Sequence, residues 1–245
     1  MDFEGSGILA LWNGADPARR EEYNLWHSRE HVPERLSVPG MRSARRYVRT
    51  SGGLPEYLTL YEVDDLSVLT SQPYRHLLET PTEWSGSMRP SFLGFLRKCC
   101  VRLVTEGGGL GSNLAVLPTD VKSDLSSPEL RRAVKDMVTE TSAITAAHII
   151  QTDPSIPSVP FQIGGNLAAK DIGGALLFES YDSECLRSTL QQHQDQLSEM
   201  HLGSRLGETT FYDLAYALTT QSIDRIHPLT YADFRARNSQ FQPGP

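Results

Sequence analysis

Between Trp26 and Arg35 the sequence reads Trp-His-Ser-Arg-Glu-His-Val-Pro-Glu-Arg, a dense run of groups that can take up, release or hold a proton. On a helix turning by about 100° per residue, His27, His31 and Glu34 fall within about 60° of one another, flanked by Tyr23 and Glu30. Leu25 and Val32 fall on the opposite side. Imidazole titrates near neutral pH, and a carboxylate one turn away fixes its tautomer and raises its basicity. This face therefore suits general acid–base chemistry, with His31 the first choice of base and His27, Glu30 and Glu34 beside it. Arg45 and Arg46 follow on a strand and point to its opposite faces, so one of them reaches a given pocket. There it would bind a substrate carboxylate or stabilise an enolate. Trp12, Trp26, Tyr47, Tyr57 and Tyr61 serve either as apolar pocket walls or as plain core.

The string His27-Ser28-Arg29-Glu30-His31 also matches H-x-x-E-H, in which two histidines one turn apart bind zinc. A third ligand has no evident source downstream, so the expectation is that no metal is bound. The remaining histidines, 76, 148, 193, 201 and 227, are dispersed. There is no G-x-S-x-G, no phosphate-binding loop and no convincing dinucleotide fingerprint. Gly107-Gly108-Gly109-Leu110-Gly111 lacks the strand before it and the helix after it.

These side chains must be held by a scaffold whose order can be read. Gly7 to Trp12 is a short apolar run suited to a buried strand. Asn13-Gly14 predicts a turn, and Asp16-Pro17 starts a helix that should end near Val32, because Pro33 removes a backbone donor. Met41 to Thr50 and Tyr57 to Val63 read as strands, Asp65 to Leu78 contains a short helix, and Phe92 to Val104 contains a last strand. The second half repeats the order with a strand at 113–117, a helix from Pro128, strands at 142–152 and 174–180, a helix at 185–200 and a strand at 209–219. Residues 153–172 form a long loop in this reading, and 107–109 a flexible joint.

The expected fold is thus α+β: two tandem ferredoxin-like βαββαβ units, residues 1–106 and 107–220, with a tail from 221 to 245. Each unit has one uncovered sheet face, and packing the two antiparallel sheets together as a barrel covers both.

Composition narrows the function classes. The chain has 245 residues, is 39% hydrophobic and carries a net charge of −7, with 13 basic and 13 acidic residues up to position 105. An acidic chain without a basic stripe is a poor nucleic-acid binder. No apolar run reaches the length of a membrane span, and the start lacks the basic and apolar regions of a signal peptide, so a cytoplasmic location is expected. Cys99, Cys100 and Cys185 make a poor disulfide framework.

With the βαββαβ order, the segment WHSREHVPERLSVPGMRSARRY resembles the dimeric α+β-barrel superfamily, in particular its EthD-like members. In these a Trp-His…Glu-His…Pro-Glu-Arg helix leads to Pro-Gly and an Arg-Arg-Tyr strand. The resemblance covers residues 7–105, and the second half by topology alone; its first helix, ELRRAVKDMV, has no histidine. Relatives include muconolactone isomerases, polyketide cyclases, cofactor-free antibiotic-biosynthesis monooxygenases and haem-dependent peroxidases. The resemblance implies a pocket between sheet and helices, for an aromatic or polyketide-like ligand, commonly without cofactor. Trp26, His27, Glu30, His31, Glu34, Arg35, Arg45, Arg46 and Tyr47 are the positions it places at stake.

The expectation that follows is a cofactor-independent enzyme acting by proton transfer on a small carbonyl compound, through isomerisation, cyclisation or elimination. His31, His27, Glu30 and Glu34 would be catalytic. Trp26, Arg35, Arg45, Arg46, Tyr47 and Tyr61 would bind substrate. The alternatives are a cofactor-free monooxygenase and a non-catalytic ligand-binding or scaffold protein. The partner is a small molecule, with no nucleic acid and no membrane, and a homodimer is compatible with the fold.

Overall fold

The computed structural model describes residues 3–140, 143–156, 172–200, 202 and 208–239. Its strands are β1 (Gly7–Ala15), β2 (Met41–Arg49), β3 (Tyr57–Val63), β4 (Phe92–Gly107), β5 (Asn113–Asp120), β6 (Ile144–Thr152), β7 (Ile172–Ser180) and β8 (Thr210–Thr219). They close into one barrel in the order β1-β3-β2-β8-β5-β7-β6-β4. Every pairing is antiparallel.

Each half supplies one four-stranded sheet, β4-β1-β3-β2 and β8-β5-β7-β6, and the two are joined edge to edge by β2–β8 and β4–β6. The expected α+β architecture of two ferredoxin-like units in an antiparallel barrel is therefore present, and it closes within a single chain. Strand β4 makes closure geometrically feasible. Its first part pairs with β1 as far as Val101, and its last part pairs with β6 from Cys100 to Gly107, with a bulge before Val104.

The barrel interior follows from strand alternation. Ile8, Ala10 and Trp12 of β1 point inward with Leu58 and Leu60 of β3, Val116 of β5, Leu177 of β7 and Tyr212 of β8. Arg45 also points inward and pairs with Glu179 of β7; the two side chains are 0% and 1% exposed. Glu179 in addition accepts from the Gly111 N–H at 2.8 Å and lies 3.3 Å from His148 Nε2. The Phe3 ring sits 3.7 Å beneath the Arg45 guanidinium. A buried ion pair of this kind requires such additional partners to offset desolvation.

Helices cover the outer faces. The first half carries α1 (Arg20–Trp26), a π-helical turn at His27–His31, α2 (Val32–Leu36), α3 (Gln72–Glu79) and α4 (Glu83–Met88). The second half carries α5 (Pro128–Glu140), α6 (Ser183–Gln192) and α7 (Gln194–Glu199). A 3-10 turn at Thr220–Arg225 and a helix α8 (Tyr231–Ser239) follow the last strand. Helix α8 docks on α4, with Tyr231 and Phe234 stacked against Trp84 at 5.9 and 5.3 Å between ring centroids. None of the described helices is long and apolar enough to cross a membrane.

Two local expectations are corrected. Asn13-Gly14 does not turn the chain: both residues lie inside β1, where the register with β4 shifts around Gly94, at φ +59°. A bulge absorbs the extra residue, for which the left-handed conformation of glycine is suited. The helix also does not end at Val32 but runs on through Pro33 to Leu36. A proline ring crowds the carbonyl four residues back, and the wider π turn just ahead of Pro33 relieves that crowding. The N–H of Val32 accordingly bonds five residues back, to the oxygen of His27. Most of the long loop expected at 153–172 lies outside the described residues.

Candidate active site

A hollow lies between the outer face of the first sheet and the helices above it. Leu9, Leu11 and Asn13 of β1, Thr59 and Tyr61 of β3, and Phe95 and Arg97 of β4 form its floor. These alternate with the residues that fill the barrel. The roof is Tyr23 and Trp26 of α1, His27 and His31 of the π turn, and Arg35 of α2. Tyr74 and Leu78 of α3, Ser85 of α4, and Arg89 and Phe92 just beyond it make the side wall. The cavity volume is about 60 Å³, less than half of the roughly 150 Å³ cavity that admits benzene. It holds a few waters or a small ion as it stands, and a single ring would need a wall to give way.

The π turn sets the histidines. Adding a residue to one turn changes which side chains face the sheet, and such turns recur at functional sites. His27 is 4% exposed. Its Nδ1 lies 2.7 Å from Tyr216 Oη and its Nε2 3.4 Å from Thr59 Oγ1. The Tyr216 hydroxyl also lies 3.3 Å from the main-chain oxygen of His27. All these groups are satisfied together when Nδ1–H donates to Tyr216, Tyr216 donates to the carbonyl and Thr59 donates to Nε2. The His31 ring stacks on Trp26 at 4.4 Å, and its buried Nδ1 has no hydrogen-bond partner. The two imidazole centroids are 5.5 Å apart.

Burial holds both imidazoles well below their ordinary pKa. For His27 the Arg46 guanidinium and then His31 add to the effect. For His31, Arg35, Arg89 and Arg46 add to it in that order. Both rings are therefore neutral at pH 7, the state in which a nitrogen lone pair can accept a proton.

The sequence-predicted residues divide by position. Trp26, His27, His31, Arg35 and Tyr61 line the cavity. Glu30 turns from the imidazoles and accepts from the hydroxyls of Thr82 and Ser85, at 2.5 and 3.3 Å. Glu34 sits beside Arg35 at 3.9 Å, outside the lining, and burial raises its pKa. Neither carboxylate meets an imidazole; the group that does is the Tyr216 phenol, from the opposite half of the chain, on His27. Arg46 lies behind His27, bonded to Asn24 Oδ1 at 2.8 Å and placed over the Tyr57 and Tyr23 rings at 4.2 and 4.9 Å. Arg45 and Tyr47 face the barrel interior, so neither reaches this cavity.

Sequence reasoning missed Thr59, Tyr74, Arg89, Arg97 and Tyr216. They come from separate elements, and no local motif marks them.

Among the described residues no group of three or more His, Cys, Asp or Glu side chains is placed to hold a metal ion. In the H-x-x-E-H string, both ring nitrogens of His27 are engaged and Glu30 faces away. As it stands this cavity is also far smaller than a haem, the group the resemblance brings with its peroxidase relatives.

No protein-family model and no curated protein matches the chain. Solved structures do. One, an anthrone oxidase-like protein, is 8% identical with a TM-score of 0.54, over 90% of this chain and 96% of that chain. Another, a chlorite dismutase variant from Candidatus Nitrospira defluvii, is 12% identical with a TM-score of 0.53, over 91% and 94%. A second variant of that chlorite dismutase is 14% identical with a TM-score of 0.52, over 91% and 94%. At such identities the likeness is one of fold, shared over about nine tenths of this chain.

Proposed function

We propose that this chain is an enzyme that moves a proton on a small carbonyl compound, using its own side chains, with His31 as the base. The observation that carries the reading is the His31 Nδ1, buried, without a hydrogen-bond partner and held neutral beside guanidinium groups. A lone pair in that setting accepts a proton from a carbon next to a carbonyl. The electron pair passes to the carbonyl oxygen, and the enolate formed is stabilised by the surrounding positive charge. Return of the proton at another carbon gives isomerisation, and loss of a leaving group at the neighbouring carbon gives elimination. His27, fixed in its neutral form by Tyr216 and Thr59, packs beside His31 and holds that side of the cavity rigid. The EthD-like pattern of WHSREHVPER supports the same reading, as does the small, apolar-walled cavity.

A second reading takes the same first step, after which dioxygen adds to the enolate. The anthrone oxidase-like neighbour motivates it, and the apolar walls Leu9, Leu11 and Phe95 suit it.

The test is proton exchange. Small single-ring aryl ketones are incubated with the protein in deuterated water under nitrogen, and loss of the C–H signal is followed by NMR. The wild type is expected to accelerate exchange, and His31→Ala to lower the rate by about 10²–10⁴-fold with its circular dichroism unchanged. Equal exchange by a folded His31→Ala variant would remove His31 from the role. Turnover only under air would select the oxygenase, and saturable binding without exchange would point to a non-catalytic binding protein.

A further inference from the structure

The cavity lining carries cationic side chains that proton transfer does not require. Arg35, Arg89 and Arg97 all line it, and no aspartate or glutamate does. Arg35 is 6% exposed, and its Nη1 is buried without a hydrogen-bond partner. Its one acidic neighbour, Glu34, is at 3.9 Å, beyond hydrogen-bond length. A guanidinium that has lost its water and gained so loose a partner is costly to bury, and an anion offsets the cost. Arg89 keeps one donor on the Leu78 carbonyl at 2.9 Å. Burial and then the Arg35 guanidinium hold the pKa of Arg89 down, with Glu34 partly offsetting them, so the two cations act on each other.

We propose that the ligand of this cavity carries a carboxylate, and that Arg35 and Arg89 hold that carboxylate beside His31. The proposal rests on the enzyme reading for the site, and it narrows the substrate to small carboxylic acids bearing a carbonyl. Planar guanidinium groups match a carboxylate in two-point geometry. The same binding changes the base. Arg35 and Arg89 both disfavour a proton on His31, so a carboxylate seated between them cancels part of their field and makes the imidazole more basic. The acid group of the substrate then prepares the base that acts on its neighbouring carbon.

Binding is measured by NMR titration of the wild type with acetate and benzoate, against acetamide and benzamide as neutral counterparts. Each carboxylate should bind more tightly than its amide, by about 10–100-fold, the range of a charge-assisted hydrogen bond. The His31 imidazole should titrate at higher pH when benzoate is bound. In Arg35→Met the preference for carboxylate and the shift of His31 should both disappear. If neither carboxylate is preferred over its amide in the wild type, the proposal is overturned whether or not Arg35→Met folds. The two readings fail separately. Exchange on neutral ketones without carboxylate preference removes this proposal and leaves the enzyme. Carboxylate binding that shifts His31, with no compound exchanged, removes the enzyme and leaves the anion site.

Discussion

The two halves of the barrel use the same layer of helix over sheet and fill it in opposite ways. In the second half, Leu130, Ala133, Val134 and Met137 recur along α5 at the spacing of one helix face. Of these, Leu130, Val134 and Met137 pack with Ile144, Leu176 and Phe178 in a continuous apolar core. In the first half, the equivalent layer passes through a π turn and encloses two imidazoles, three guanidiniums and several phenols. A regular helix directs one stripe at the sheet; a widened turn redirects side chains that would otherwise face along it or away. The unit with strict periodicity supports the barrel, and the unit that breaks it holds the candidate site.

That division can be broken or sharpened by measurement. The largest effect on stability is expected at the link between halves. Glu179→Ala leaves Arg45 buried without its charge partner and should lower the unfolding free energy by about 3–5 kcal/mol. A loss below about 1 kcal/mol in urea titrations would mean that water reaches the guanidinium and the pair does not hold the halves together. Next is the apolar layer itself. Met137, which is 0% exposed, should cost about 2–5 kcal/mol when changed to alanine, while carboxylate binding per folded molecule stays the same. A change in binding would show that the second layer tunes the first.

The third effect depends on pH. Above about 7.5 the folded and unfolded chains both carry neutral imidazoles, so His27 and His31 contribute no slope. As pH falls below that value, the unfolded chain takes up protons that burial denies to the folded one. Stability then declines by up to about 1.4 kcal/mol per pH unit for each ring. Between pH 6.5 and 5 a His27→Gln/His31→Gln variant should lose stability less steeply than the wild type, and equal slopes would show that the rings protonate freely in the fold. The smallest effect is at Tyr216→Phe, which removes both hydrogen bonds of that hydroxyl to His27 and costs about 1–2 kcal/mol. Exchange by this variant should fall about fivefold, through orientation of His27. A far larger fall would assign the second half a direct part in the chemistry.

Much of the fold was legible because strand runs and helix caps are local signals. Asp16 does accept from the Ala18 N–H ahead of the first helix, as an Asp-Pro start implies. The crowded helix at 26–35 was legible as a chemical segment for the same reason. The opposite orientation of Arg45 and Arg46 was legible too, but not which side faced the cavity, since that depends on how the sheet curls. Tyr216 was hidden by a bulge. Strict alternation along β8 would send it inward with Tyr212 and Leu214, but Arg46 pairs with Tyr216 while Tyr47 pairs with Leu214. The extra residue, Ala215, turns Tyr216 outward to meet His27. Pro33 misled for a related reason: the rule that proline ends a helix assumes a turn of ordinary width.

Edge-to-edge closure also sets a timetable. Chains are made from the N-terminus, and domains fold as units during synthesis. Strand β2 is complete by Arg49, yet its outer neighbour β8 begins at Thr210. Until that last strand leaves the ribosome, β2 offers an unpaired edge and the barrel lining faces water. Exposed edges of this kind are templates for joining a second chain. A nascent chain stalled before β8 should therefore be the form most prone to pair with its siblings, whereas the finished barrel has no free edge left to offer.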